Sequence, residues 1–145
     1  DTLMEYGVAV KRDLRKGRIS PAVERLIECN ILLSGVGFES GGLALAHAIA
    51  NGLTILPECK AMHGEAVAFG LVVQLRLERA PELDQVLEFC QRVGLPTTLA
   101  ELGLGGISDA DLMSVADAAF RNERNMANEQ AKVTRQKLAE LMREA

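Results

Sequence analysis

The chain has 145 residues, 48% of them hydrophobic and 3% aromatic, with no tryptophan and a formal net charge of −4. At this size one domain can bury about 70% of its unfolded surface. The acidic balance leaves no basic stripe for nucleic acid, and no run of about 18 apolar residues is present to span a membrane.

The apolar content comes mainly from Ala, Leu and Val, which favours closely packed helices over a sheet sandwich. An all-α helical bundle forming a single domain over residues 1–145 is therefore expected. Cys29, Cys59 and Cys90 are odd in number, far apart and without a CxxC pair, so they are expected to be free thiols of a cytoplasmic protein. The opening Asp1-Thr-Leu-Met-Glu5 lacks the charged segment and apolar stretch of a signal peptide.

In chain order, residues 2 to 16 place Leu3, Tyr6, Val10 and Leu14 at helical spacing, with Gly17 as a stop. Ser20 and Pro21 read as N-cap and first residue of a second helix, carrying Val23, Leu26, Ile27, Ile31 and Leu33 and ending at Leu33-Ser-Gly-Val-Gly37. Glycines at 35, 37, 41 and 42 allow a tight bend before a small-residue helix over 43 to 50, which Ser40 can cap and Glu39 favour. Asn51-Gly52 is a helix stop, and Pro57 forbids easy continuation.

Residues 63 to 79 are apolar nearly all round and are expected to form the buried centre. A helix over 84 to 93 is stopped by Gly94-Leu-Pro96, and 98 to 102 is a short helix. Gly103-Leu-Gly-Gly106 reads as a helix end and turn. Ser108 starts a helix to about Phe120, with Asp109 and Asp111 in its first turn. Residues 121 to 145 are strongly charged with a thin stripe of Val133, Leu138, Leu141 and Met142, the pattern of a surface helix.

The two histidines, His47 and His63, are the most informative residues. Each lies in an apolar, helix-patterned run, where a polar ring must find a partner. On one continuous helix they would stand roughly 24 Å apart, so a shared site requires the chain to reverse between them. A satisfied core histidine is the commoner outcome, and two rings are an incomplete ligand set. Glu58, Cys59 and Glu65 are near in sequence, but no spacing selects one of them.

The segments Ser34-Gly-Val-Gly-Phe38-Glu-Ser-Gly-Gly42, Ala46-His47, Asn51-Gly-Leu-Thr54, Met62-His63-Gly-Glu65 and Ala68-Phe-Gly70 together resemble glycerol dehydrogenases, within the iron-containing, metal-dependent alcohol dehydrogenases of dehydroquinate synthase-like fold. The resemblance runs from about Asp1 to Leu102, and its specific part covers residues 34 to 70. It implies that the chain corresponds to the helical, metal-binding C-terminal part of such an enzyme, with His47 and His63 as ligands of a catalytic Zn2+ or another divalent ion such as Fe2+. It also implies Phe38 in the wall of the glycerol pocket, a third ligand from an upstream aspartate, and NAD bound by an N-terminal nucleotide domain that this chain lacks.

Glycerol would then be oxidised to dihydroxyacetone by hydride transfer to NAD, in a homo-oligomeric enzyme, with the isolated chain inactive. A related dehydrogenase acting on another small alcohol, and a helical scaffold or interaction module without catalysis, are the alternatives. Apolar surface is expected to be uncovered near Phe38 to Ala46 and His63 to Phe69.

Overall fold

The computed structural model describes residues 2–145, apart from the side chains of Leu33 and Phe38. Among the described residues there are helices and no strand, as the composition predicts. The chain divides into two compact units, Asp1–Gly42 and Leu43–Ala145.

The first unit is a hairpin of α1 (Thr2–Arg15) and α2 (Pro21–Gly41). Helix α1 buries Gly7, Val10 and Asp13, and Val23 of α2 is also buried. Gly17 takes a positive φ of 64° in the connection, where Arg18 Nη2 donates to Asp13 Oδ1 at 2.6 Å. That bond satisfies a carboxylate removed from water. Helix α2 continues past the glycines expected to end it. Gly35 and Gly37 keep ordinary negative φ and meet no atom within 4 Å at a Cβ position, so each weakens the helix without breaking it. The stop is Gly42 at φ +71°. Ser40 therefore lies inside α2 and does not cap the histidine helix.

The second unit contains α3 (Leu45–Leu53), α4 (His63–Glu78), α5 (Leu83–Val93), α6 (Asp109–Arg121), α7 (Glu123–Ala127) and α8 (Arg135–Glu144). Its centre is α3, and α4, expected there, is one of the helices around it. Seven of the nine residues of α3 are buried, whereas α4 buries a face of Ala66, Phe69, Val72 and Val73 and leaves Leu71 36% exposed. Small residues make this possible by letting backbones approach. A Cβ on Gly52 would stand 2.7 Å from the Val115 carbonyl oxygen of α6, and one on Gly70 of α4 would overlap the Ala46 carbonyl oxygen and lie 3.0 Å from its Cα. Gly52 thus serves close packing; α3 runs through it to Leu53, and Thr54 closes the end by donating Oγ1–H to the Asn51 carbonyl at 2.7 Å.

The rest of the unit closes this core. Residues 98 to 102 form turns in place of the expected short helix: Thr98 and Glu101 cap one turn reciprocally, Thr98 N–H donating to Glu101 Oε2 at 3.2 Å and Glu101 N–H to Thr98 Oγ1 at 3.1 Å, and Gly103 at φ +78° ends it. Ser108 caps α6 as expected, accepting from Asp111 N–H at 3.1 Å. The charged tail is two helices, and its stripe is core: Leu138 and Met142 are fully buried, and α8 packs on α6. Arg135 lies over the Phe120 ring at 4.7 Å, and Arg143 Nη1 donates to the Ile107 carbonyl at 2.9 Å. The charge density of the tail obscured that only one side of α8 meets water.

Ala46, Ala66, Ala68 and Phe69 are buried, whereas Val36 and Met62, beside the two stretches where apolar surface is expected, are 53% and 70% exposed. The exposed large hydrophobics gather on the first unit, at Leu3, Leu14, Ile19, Ile27, Ile31, Leu32 and Val36.

Gly70→Ala is expected to lower unfolding free energy by about 3 kcal/mol or more, since the methyl group would press on backbone that cannot swing away. Gly64→Ala, on the same helix but with open space around its Cβ, should stay within about 1 kcal/mol of the parent. Urea denaturation of the two variants checks the contrast; equal losses would contradict it.

Candidate metal centre

His47 is the third residue of α3 and His63 the first of α4. The residues between the helices reverse the chain. Leu56 is buried and Cys59 N–H bonds to its carbonyl at 3.1 Å, while Lys60 Nζ donates to the Pro57 carbonyl at 2.6 Å. Helix α4 then starts under a carboxylate, with Met62 N–H donating to Glu65 Oε2 at 2.8 Å. Glu65 is therefore engaged as a cap.

His63, Gly70 and Gln74 lie along one side of α4, since seven and eleven residues are close to two and three full turns. Gly70 meets Ala46, the residue before His47, and the Ala46 N–H donates to Gln74 Oε1 at 3.0 Å. This side of α4 thus holds the first turn of α3, and the two imidazole rings meet with centroids 5.7 Å apart and planes inclined by 54°.

The rings differ in environment. His47 is half-buried and His63 exposed. Burial, followed by the charge of a protonated His63, holds the pKa of His47 below the ordinary histidine value. Its neutral form, the one that ligates metals, is favoured near neutral pH. Two imidazoles on one tetrahedral ion, each at about 2.0 to 2.1 Å, have ring centres roughly 5 Å apart, so the observed pair fits a shared ion after a small adjustment.

Among the described residues, no group of three His, Cys, Asp or Glu side chains is gathered to hold a metal. Glu58 and Cys59 accordingly do not complete a set with the rings. Cys90 is buried and free, and burial with the Glu101 carboxylate raises its thiol pKa, which disfavours a nucleophilic thiolate. The reading of Phe38 as a pocket residue lies outside the described residues. An open depression of about 490 Å³ is lined by Lys60, Glu65, Gln91 and Glu101 among others and includes neither histidine. The ring pair, with two convergent donors, is the stronger candidate.

Sequence reasoning missed Gln74. Its signal was available: it is the one polar side chain in the apolar run Ala66 to Leu75, where an uncommitted amide would be costly.

No protein-family model matches the chain. Glycerol dehydrogenase from Thermotoga maritima is 52% identical over 92% of this chain, and that from Citrobacter freundii 47% identical over the same share. The crystal structure of a probable glycerol dehydrogenase from Sinorhizobium meliloti 1021 superposes over 98% of this chain and 41% of its own, with a TM-score of 0.92 and 39% identity. The chain spans about 38% of the length of the two curated relatives. Its sequence and its all-helical fold thus make it a homologue of the C-terminal helical domain of glycerol dehydrogenases.

Proposed function

We propose that this chain is the metal-binding part of an NAD-dependent glycerol dehydrogenase, with His47 and His63 supplying two protein ligands to a divalent ion, Zn2+ or an ion such as Fe2+. The observation that carries the reading is the meeting of the chain's two histidines, 16 residues apart in sequence, at a ring separation suited to one ion. The names of the relatives add glycerol as the substrate and oxidation as the chemistry.

A bound divalent ion would act there as a Lewis acid that lowers the pKa of an alcohol hydroxyl. The chain's own residues prepare the place. His47 is kept neutral by its surroundings, His63 stands at the exposed edge where a small polyol can enter, and Glu65 fixes the start of the helix that carries His63. By resemblance, Phe38 lines the glycerol pocket, an upstream aspartate is the third ligand, and NAD binds to a separate nucleotide domain. The cytoplasm is the compartment this reading implies, and no single described helix is long and apolar enough to cross a membrane.

Zinc titration against a chromophoric chelator is expected to show weak binding by the 145-residue chain, reduced at least about tenfold by His47→Ala or His63→Ala. Protons compete for the ligating nitrogen of His47, and because burial and the neighbouring ring lower its pKa, its contribution to affinity should persist through the range where free histidine becomes charged and be lost only at lower pH. Zinc affinity unchanged in both variants would refute the assignment.

With NAD and glycerol, the purified chain is expected to give no reduced cofactor above background, because two ligands without a nucleotide site cannot orient hydride transfer. Turnover by the 145-residue chain, free of longer contaminants, would contradict this.

The apolar side chains exposed on α1 and α2 are expected to drive association into a homo-oligomer. Light scattering over a concentration series should show a mass above that of the monomer. A clean monomer at high concentration would contradict it.

A further inference from the structure

We infer that Gln74, oriented by Glu78, is a positioning residue for the histidine pair, acting through the Ala46 N–H to set the first turn of α3 against α4. The inference rests on the reading of His47 and His63 as metal ligands.

The first N–H groups of a helix have no acceptor within it and must find one elsewhere. In α3 the N-cap is Ala44, whose side chain accepts nothing, and the His47 and Ala48 N–H groups both turn to the Ala44 carbonyl at 3.2 Å. The Ala46 N–H points instead to Gln74 Oε1 at 3.0 Å. A glutamine amide has one accepting and one donating end. Glu78 decides which end faces Ala46, because its Oε1 accepts from Gln74 Nε2 at 2.8 Å and an ionised carboxylate can only accept.

The place from which this acceptor comes is the point of the argument. A Ser, Thr, Asp or Asn at position 44 would satisfy α3 locally and leave its placement on α4 to packing alone. Here the acceptor belongs to the helix that also carries His63 and Gly70. One side of α4 therefore meets the first turn of α3 at His47, at the Ala46 carbonyl and at the Ala46 N–H. The hydrogen bond adds direction to a contact that the missing Gly70 side chain merely permits. A pair of ligands on two helices needs such a fixed relation, since a shift of the order of 1 Å is enough to spoil a coordination site.

Three variants of the 145-residue chain test this, each read by zinc affinity in chelator competition and by the urea midpoint. Gln74→Leu is expected to weaken zinc binding roughly tenfold, the lower end of what loss of a supporting partner costs a metal site. Gln74→Leu with Ala44→Asp supplies a local cap at a residue already in extended backbone, and is expected to recover the urea midpoint while zinc binding stays weak. Gln74→Glu with Glu78→Gln exchanges donor and acceptor, keeps an acceptor for the Ala46 N–H, and is expected to restore both readouts.

Zinc affinity within about twofold of the parent in Gln74→Leu would overturn the positioning role, as would recovery of zinc binding by Ala44→Asp. A parent chain that binds no zinc at all overturns the metal reading and this inference with it. Zinc binding that His47→Ala abolishes and Gln74→Leu leaves intact overturns the inference alone.

Discussion

The close approach of α3 and α4 at Ala46 and Gly70 is the constraint on which the site depends. With no side chain at 70, the α4 backbone can lie against the Ala46 carbonyl, and the residue next to Ala46 is His47. The other end of the same side of α4 is His63, seven residues earlier. The separation of the rings therefore follows from a helix contact between small residues, with no need for a bond between the imidazoles. Interiors packed near crystal density transmit such constraints, because neighbouring side chains leave little room to absorb a shift.

Much of the fold was legible in the sequence because helical periodicity, caps and glycine stops are local signals. Ser20-Pro21, Gly94 and Ser108 mark helix limits correctly, and the apolar periods identify α1, α4, α5 and α6 within a residue or two. The failures share a cause. Gly35 and Gly37 are helix breaks by sequence, yet a glycine that keeps helical φ only weakens a helix; Gly52 lies one residue before the end of α3, as expected, and its missing side chain also makes room for Val115. The tail was read as a surface helix because its charges outnumber its apolar residues, although Leu138 and Met142 lie on the side that α8 turns toward the core.

The site was legible only in part. Periodicity put each histidine on a helix but could not bring two helices together; that step came from joint motifs resembling a known family. Glu65 and Ser40 show the limit of assigning roles by proximity in sequence. Glu65, near enough to His63 to suggest a ligand, caps its own helix, and Ser40, placed to cap α3, lies within α2. The acceptor that α3 does receive is Gln74, 28 residues beyond Ala46, a partnership that only the folded chain displays.

The dependence of α3 on later parts of the chain bears on synthesis. The most buried helix of the second unit is made before the residues that finish the core around it, Leu138 and Met142. At about 5 to 20 residues per second, the nascent chain spends roughly 5 to 20 seconds with α3 emerging and its cover incomplete. During that interval Leu45, Ile49 and Leu53 lack part of the apolar cover that they have in the finished fold. Slow translation across residues 54 to 142 would lengthen this exposure without changing a single contact of the finished fold.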